Sequence, residues 1–350
     1  MIIEINYLNL CNCLTKGAAL KKKIRKLTFG RYVKILFYTL KNNFGSGGEK
    51  YPFYASLKVT SRCHFACKFC DMKHFQTPDL STEDMKKIIR NLGRSSLFLL
   101  SMEGGEPLLR NDIEELLIEA HKQPFYLLFT TSQKNLMEYP WEKYQNYIDF
   151  LHISIDEGHG NLHLFDHLKE INKFDMIVCV QTVVAKEDQD KLEEKVSKCY
   201  YSGSKILIMP AVHLDNTEDH FPDFDRLEKQ IRKLKKDFPE TIITPNSYFS
   251  AVKKKKGGCS PSSIIIDADG GLFYPCRTLK EKSIKLQNTD LTKFLESGQS
   301  AELRKKMAVC TRQCGWYQYF ATSRFSGLSD FSDATGPYLR EFFIGRNFEN

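Results

Sequence analysis

The run Thr60-Ser61-Arg62-Cys63-His64-Phe65-Ala66-Cys67-Lys68-Phe69-Cys70 decides the fold of this chain. It follows an apolar segment, residues 53–59, that is typical of a buried β-strand. Its cysteines have the spacing C-x3-C-x2-C, and three thiolates this close can bind three corners of a cubane iron–sulfur cluster. The fourth iron would then stay open, as a catalytic zinc keeps one position for its reactant. The same spacing is compatible with a zinc knuckle, for which His64 or His74 would be the fourth ligand.

A second motif, Gly104-Gly105-Glu106-Pro107, follows an apolar run at residues 97–100. That run is short and continuous, as expected of a parallel strand that is covered on both faces. Glycines at the carboxyl end of such a strand let the backbone approach a ligand without a Cβ in the way. The motif is therefore predicted to lie at a ligand-binding edge of the sheet.

Together the two motifs resemble the signature of the radical S-adenosylmethionine (SAM) enzymes, which is C-x3-C-x-aromatic-C followed by GGEP. The resemblance implies that Cys63, Cys67 and Cys70 hold a 4Fe–4S cluster. In that family the amino and carboxylate groups of SAM chelate the open iron, and one electron cleaves the sulfonium to a 5′-deoxyadenosyl radical. The GGEP segment would hold the methionine amino group, with Glu106 as its acidic partner.

Strands and helices alternate between residues 51 and 243. Apolar runs predict strands at residues 54–60, 97–100, 125–129, 150–155, 176–184 and 206–209. The first intervening helix is predicted to begin after Ser81 and to end at Gly93. Alternating βα units predict an α/β fold, a parallel sheet with helices outside it, and six units match the partial (β/α)6 barrel of radical SAM enzymes. Ligands of such folds bind at the carboxyl ends of the strands, where both motifs fall.

The fourth predicted strand ends in alternating apolar and polar residues, Leu151-His152-Ile153-Ser154-Ile155-Asp156. The resemblance implies SAM contacts from Ser154 and Asp156, and the alternative is a solvated strand end. After the third strand, Thr130-Thr131-Ser132-Gln133 replaces the family's Thr-Asn-Gly, which leaves a SAM contact from Ser132 open. The cofactor-binding residues that the resemblance implies are Phe69, Gly104, Gly105, Glu106, Ser154 and Asp156.

A second set of cysteines, Cys259, Cys276, Cys310 and Cys314, lies near the carboxyl end of the chain. Asp269-Gly270 between two apolar runs predicts a hairpin that brings Cys276 back towards Cys259. The pattern resembles the auxiliary-cluster extensions of radical SAM enzymes, which are called SPASM domains with two clusters and twitch domains with one. Four thiolates fully ligate one cluster, so the resemblance implies a twitch-like domain with a second, auxiliary 4Fe–4S cluster. A structural zinc fits the same ligand count.

The N-terminal part of the chain is basic, with nine Lys or Arg and no Asp or Glu in residues 16–41. Within it Phe29, Val33, Leu36, Phe37, Leu40 and Phe44 follow helical spacing and form one apolar stripe. We expect the stripe to pack on the protein and to leave the basic face in solvent. The alternative is peripheral membrane contact through residues 16–44. No nucleic-acid recognition motif accompanies the basic residues.

The chain of 350 residues, 42% of them hydrophobic, is predicted to have three parts. These are an N-terminal extension at residues 1–50, a radical SAM barrel at 51–250 and an auxiliary-cluster domain at 251–350. No apolar run approaches the ~18 residues of a membrane span, and no secretory signal is visible. Because cluster thiolates need a reducing compartment, a cytoplasmic location is expected, membrane-peripheral if residues 16–44 contact lipid.

The resemblance implies an enzyme that cleaves SAM reductively and abstracts hydrogen from an unactivated carbon, with electron transfer through the auxiliary cluster. The resemblance implies a low-potential electron donor such as ferredoxin or flavodoxin. The substrate is open between a peptide, a lipid or isoprenoid, and a sugar or cyclitol alcohol. The alternative outside enzymes is a zinc-binding interaction protein on a degenerate barrel.

Overall fold

The computed structural model describes residues 29–44, 50–70, 72, 76–211, 220–253, 261–311 and 316–322. The strands are β1 (Tyr54–Thr60), β2 (Leu99–Gly104), β3 (Tyr126–Thr131), β4 (Phe150–Ser154), β5 (Ile177–Val184), β6 (Lys205–Pro210), β7 (Ser263–Ile266), β8 (Gly271–Phe273) and β9 (Lys282–Lys285). The helices are α1 (Phe29–Phe44), α2 (Thr82–Arg94), α3 (Ile113–His121), α4 (Trp141–Tyr144), α5 (Leu168–Ile171), α6 (Leu192–Ser202), α7 (Phe224–Asp237), α8 (Asn246–Lys253), α9 (Leu291–Leu295), α10 (Gly298–Ala308) and α11 (Tyr317–Thr322).

These nine strands form one sheet in the order β6-β5-β4-β3-β2-β1-β7-β8-β9. Each neighbouring pair from β1 to β6 is parallel, and β7 also runs parallel to β1. The pairs β7–β8 and β8–β9 are antiparallel, so the predicted hairpin extends the barrel sheet at its β1 edge. Because β6 and β9 each have one neighbour, the sheet is open. The partial (β/α)6 barrel predicted from the alternating pattern is confirmed.

Most predicted strand boundaries differ from the structure by one or two residues, and two differences have a clear physical reason. Strand β2 begins at Leu99 and not at residue 97, because the backbone N–H groups of Phe98 and Leu99 both turn to the carbonyl of Phe53 (2.9 and 3.0 Å). Helix α2 begins after the predicted N-cap Ser81 but runs through Gly93 to Arg94. Gly93 is there for packing, because a Cβ on it would lie 2.2 Å from the side-chain oxygen of Gln123.

The barrel interior changes from apolar to polar along the strands. At the amino ends, Leu99, Tyr126, Phe150 and Ile177 pack with Ile35 of α1, so α1 closes this end of the barrel. Towards the carboxyl ends most inward positions are polar, although Leu128 of β3 and Cys179 of β5 are apolar. The polar ones are Ser56, Lys58, Ser101, Glu103, His152 and Gln181. A barrel that is apolar and closed below and polar above leaves its carboxyl end for ligands.

The apolar stripe of α1 does not pack on the barrel, which makes that prediction wrong. Its described members are 37–85% exposed, and they are Val33, Leu36, Phe37, Leu40 and Phe44. Helix α1 docks through its opposite face instead, where Ile35 is buried, Lys34 Nζ donates to the carbonyl of Leu97 (3.0 Å) and Asn42 donates to that of Tyr51 (2.9 Å). No helix in the described part of the chain is long and apolar enough to cross a membrane.

Candidate active site

The cysteine loop leaves the carboxyl end of β1, as predicted. Cys67 is buried, and Cys63 and Cys70 are partly exposed. The base of the loop is fixed by Asp79, which accepts hydrogen bonds from Thr60 Oγ1 (2.6 Å) and Arg62 Nε (3.0 Å). These contacts hold the start of the loop in one position before any metal is bound.

The GGEP segment is joined to the cysteine loop through backbone. The N–H of Gly105 donates to the carbonyl of Thr60 and that of Glu106 to the carbonyl of Arg62, each at 2.8 Å. A Cβ on Gly104 would lie 2.4 Å from the Thr60 oxygen, and one on Gly105 would lie 2.1 Å from the Arg62 oxygen. Both glycines line the cavity described below. The absence of a side chain also lets each of them contact the backbone of the cysteine loop.

Glu106 is completely buried and braces the end of β3. Its Oε1 accepts hydrogen bonds from Thr131 Oγ1 (2.8 Å) and Leu108 N (3.1 Å), and its Oε2 accepts one from Ser132 N (2.8 Å). Burial raises the pKa of this carboxyl. Among the described residues no Lys or Arg forms a salt bridge with Glu106. Glu106 is not among the residues that line the cavity described below, and the charge of His159 opposes the effect of burial on its pKa. The structure therefore places Glu106 behind the cavity wall, where it braces Thr131 and Ser132.

The three loop thiols share one electrostatic environment. Burial raises the pKa of Cys67 to about 12, and the negative charges of Asp156, Cys70 and Cys63 contribute to the increase. Burial likewise raises the pKa of Cys63, with smaller contributions from Cys70 and Glu106. Because the pKa values of Cys63 and Cys67 are raised, binding of these two groups to a metal as thiolates must release protons.

The end of β4 differs from its prediction in one respect. Ser154 lines the cavity, whereas Asp156 is completely buried below it. Asp156 Oδ1 lies 2.7 Å from His159 Nδ1 and also accepts the His159 N–H at 3.1 Å. His159 itself lines the cavity, with its ring edge-to-face against Phe65 and Phe69. Asp156 thus orients His159, which lines the cavity, and does not line the cavity itself. The sequence patterns did not identify His159.

A cavity of about 260 Å³ opens at the carboxyl ends of the strands, between the two motifs and the C-terminal segment. The cysteine loop lines it with Cys63, Cys67, Cys70, Phe65 and Phe69. Gly104, Gly105, Thr130, Ser132, Ser154 and His159 line it from β2, β3 and β4. Lys58, Met72, Glu103, Arg277 and Trp316 complete its wall. The cavity therefore contains thiols, backbone, hydroxyls, one carboxylate and two cations.

The second cysteine set is described in part. Cys276 is buried after β8, and Cys310 lies partly exposed just after α10, while Cys259 and Cys314 fall outside the described residues. Cys276 packs in a small apolar cluster with Met307 and Tyr319, and the N–H of Arg277 donates to the Tyr319 hydroxyl (3.2 Å). The segments that flank these cysteines in sequence are thus neighbours in space.

The comparisons with known proteins agree with this architecture. Residues 57–227 match the family model of the radical SAM superfamily. An S-adenosylmethionine-dependent nucleotide dehydratase of Lacinutrix mariniflava is 23% identical over 267 residues, which cover 67% of this chain. The alignment covers 56% of the dehydratase, so the chain spans little more than half the length of that relative.

Two solved structures show the same fold. Streptococcus suis SuiB bound to its precursor peptide SuiA is similar over 83% of this chain and 74% of that one, with a TM-score of 0.61 and 14% identity. The enzyme anSMEcpe with bound AdoMet and the Cp18Cys peptide is similar over 84% of this chain and 96% of that one, with a TM-score of 0.57 and 15% identity. The family match, the open parallel barrel and the cysteine loop agree, and residues 57–227 form a domain of the radical SAM superfamily.

Proposed function

We propose that this chain is a radical SAM enzyme in which Cys63, Cys67 and Cys70 hold a 4Fe–4S cluster. The observation that carries the proposal is the pair of backbone hydrogen bonds that joins the cysteine loop to Gly105 and Glu106 at the mouth of one cavity. When bound, the cluster and SAM supply a 5′-deoxyadenosyl radical for hydrogen abstraction. The protein contributes binding, orientation and the exclusion of water.

Each wall of the cavity has a role in holding SAM. The backbone of Gly104 and Gly105 lines the cavity beside the thiols, and we assign the buried carboxyl group of Glu106 behind them to the ammonium group of SAM. Ser154 offers a hydroxyl to the cofactor. His159, oriented by Asp156, stands between Phe65 and Phe69 and limits the access of water to the thiols.

A zinc site in place of the cluster has less support. Of the residues that the structure describes, no three His, Cys, Asp or Glu side chains are arranged to hold a single metal ion. The ligands of a zinc ion all lie within about 2.3 Å of a single metal atom, whereas each thiolate of a cubane cluster binds a separate iron. The alternative ligand His74 lies outside the described residues.

We further propose that Cys259, Cys276, Cys310 and Cys314 hold an auxiliary 4Fe–4S cluster in a twitch-like domain. The proximity of Cys276 to the helix that follows Cys314, through the Arg277–Tyr319 hydrogen bond, supports a common site. Four thiolates leave no open iron, which favours electron transfer over substrate binding. A low-potential protein such as ferredoxin or flavodoxin would supply the first electron.

The proposed substrate is polar and carries an anionic group. Lys58 Nζ lies 3.0 Å and Arg277 Nη2 4.0 Å from the sulfur of Met72, so two cations end at one wall of the cavity. Glu103 and Trp316 add a hydrogen-bond acceptor and an aromatic face. Peptides, nucleotides and phosphorylated sugars have this chemistry. The relatives named for a nucleotide and for a precursor peptide are in keeping with it.

The basic amphipathic helix was the feature that favoured a lipid or isoprenoid substrate. Helix α1 closes the amino end of the barrel, opposite the cavity, so it does not support a lipid at the reaction site. Peripheral membrane contact through residues 16–44 is therefore a separate property from the reaction.

The proposal is tested by electron paramagnetic resonance of protein purified without oxygen, reconstituted with iron and sulfide and reduced with dithionite. A 4Fe–4S signal whose shape changes when SAM is added supports SAM binding at an open iron. Cys67→Ala should lose this SAM-sensitive signal. A signal that SAM does not alter, or bound zinc with no iron signal, would exclude the proposed site.

A further inference from the structure

Helix α1 carries an exposed apolar face, whose Phe37 ring contacts Tyr38 and Lys41 of the same helix. Val33, Leu36, Phe37, Leu40 and Phe44 follow one another at helical spacing and are 37–85% exposed. Contiguous exposed apolar surface of this kind marks an interaction site in proteins that are otherwise well packed. The barrel is well packed, because the inward and outward faces of its parallel strands are largely buried.

The opposite face of α1 is firmly attached to the barrel. Ile35 is buried among the amino ends of four strands, Asn42 bonds the carbonyl of Tyr51, and the Arg31 guanidinium lies 4.9 Å from the centre of the Tyr126 ring. The exposed stripe is therefore held rigidly at the outside of the closed end of the barrel. An unattached helix could rotate to bury the stripe, but these contacts fix its orientation.

The charge of the surrounding sequence identifies the kind of partner. Residues 16–41 contain nine Lys or Arg and no acidic residue, and six of the nine lie at residues 16–26, which precede α1 in sequence and are outside the described part of the chain. Basic residues next to an amphipathic helix bind the headgroups of anionic lipids, while the apolar face enters the boundary between headgroups and acyl chains. A second protein with a matching apolar face would not require this excess of positive charge.

We propose that α1 docks this protein onto an anionic lipid surface through the stripe from Val33 to Phe44. The geometry then fixes the orientation of the whole barrel. Strands of five to eight residues separate the two ends of the barrel by about 20 Å. The cavity with Cys63 and Gly105 opens at the carboxyl ends, so it faces away from the membrane. Docking thus localises an enzyme whose polar substrate arrives from the aqueous side.

The test is flotation of the full chain with two kinds of vesicle, phosphatidylcholine alone and equal parts phosphatidylcholine and phosphatidylserine. We expect binding to the second kind, weakened by added salt. The double variant Leu40→Gln/Phe44→Gln should bind about tenfold or more weakly, because two apolar side chains no longer enter the bilayer. The matched control is Tyr201→Gln, whose side chain is also on a helix and 73% exposed, and it should bind like the unaltered chain.

Three kinds of result would overturn the proposal. The first concerns binding: no binding of the unaltered chain to the anionic vesicles, or binding of the double variant that equals that of the unaltered chain. The second is a fall in the unfolding temperature of the double variant without vesicles, because the stripe would then be covered by another part of the chain. The third is a dimer of the unaltered chain that the double variant dissociates, which would make a second copy the partner. None of these readouts depends on SAM cleavage, so they are independent of the proposed reaction.

Discussion

Gly105 illustrates how a single residue couples the two motifs. In Gly105→Ala the new Cβ would lie 2.1 Å from the carbonyl oxygen of Arg62, so the backbone must move. This movement should lower the free energy of unfolding by about 1–3 kcal/mol. We expect a lower unfolding temperature and a reduced iron content after reconstitution. The control is Gly298→Ala at the start of α10, where nothing lies within 4 Å of the added atom. Equal iron content in both variants would contradict the claim that Gly105 couples the GGEP segment to the cysteine loop.

Glu106 supplies a second prediction at this scale, on SAM affinity. Glu106→Gln removes the buried negative charge that we assign to the ammonium group of SAM, and charge-assisted hydrogen bonds of this kind are strong. The dissociation constant of SAM, measured by equilibrium dialysis on reconstituted protein, should rise about tenfold or more. Glu142→Gln, on the exposed side of α4, serves as the control. An unchanged constant would limit Glu106 to bracing Thr131 and Ser132.

Of the site residues predicted from the sequence, the three loop cysteines, the two glycines and Ser154 line the cavity, whereas Glu106 and Asp156 lie behind it. Motif spacing identifies groups that meet a cofactor, because such groups are close together in the chain. Asp156 and Glu106 are instead defined by their partners His159, Thr131 and Ser132, and those contacts depend on how two loops pack. The Asp-x-x-His spacing was the one available signal for His159.

At the scale of elements, Asp112 links the start of α3 to the rest of the barrel. Its carboxylate accepts two hydrogen bonds from Arg110 (2.7 and 2.6 Å) and one from Thr82 (2.6 Å), and Arg110 also bonds the carbonyl of Val59 (2.8 Å). The hydrogen bonds from Arg110 lower the pKa of Asp112 to about 2. A lowered carboxyl pKa stabilises the fold above the unfolded value of 3.8, and this contribution is lost as pH falls towards 2.

The corresponding variant is Asp112→Asn. We expect its free energy of unfolding to be lower by about 1–2 kcal/mol at neutral pH, a value reduced from the full pKa shift because the side chain is partly solvated. The difference from the unaltered chain, followed by urea unfolding, should shrink between pH 4 and pH 2. A difference that stays constant with pH would mean that geometry and not charge is responsible. Asp237→Asn, at an exposed position of α7, should show little effect.

The order of strands and helices was predictable, whereas the docking of α1 was not. Continuous apolar runs are typical of buried parallel strands, and six such runs identified β1 to β6 within a few residues. The periodicity of α1 correctly predicted a helix, but it does not indicate which face meets the barrel. Ile35, Lys34 and Asn42 decide that, through contacts with residues that are distant in sequence.

At the scale of the whole molecule, the two cysteine sets predict two separable clusters. In Cys276→Ala the iron content after reconstitution should fall from about eight to about four per chain, while cleavage of SAM by dithionite-reduced protein continues. Cys179→Ala is the control, because this thiol is equally buried but lies in β5 outside both sets. Retention of about eight irons in Cys276→Ala would contradict the auxiliary cluster. Bound zinc in the unaltered chain would mean that the second cysteine set holds zinc and not a cluster.

The sheet explains how the C-terminal segment reaches the cavity. Strand β7 pairs with β1, so the C-terminal segment begins beside the strand that precedes the cysteine loop. Arg277 and Trp316 from that segment form part of the cavity wall. The sequence predicted the hairpin from Asp269-Gly270, but the pairing of β7 with β1 joins residues more than 200 apart and had no local signal.

The central claim is radical chemistry at Cys63, Cys67 and Cys70, and the most direct measurement is 5′-deoxyadenosine formed from SAM. The assay uses reconstituted protein and dithionite, with product quantified by chromatography and mass spectrometry. The account predicts 5′-deoxyadenosine from the unaltered chain and from Cys179→Ala, and none above background from Cys67→Ala. Equal product from the unaltered chain and Cys67→Ala, or no product from a chain that holds its iron and binds SAM, would contradict it.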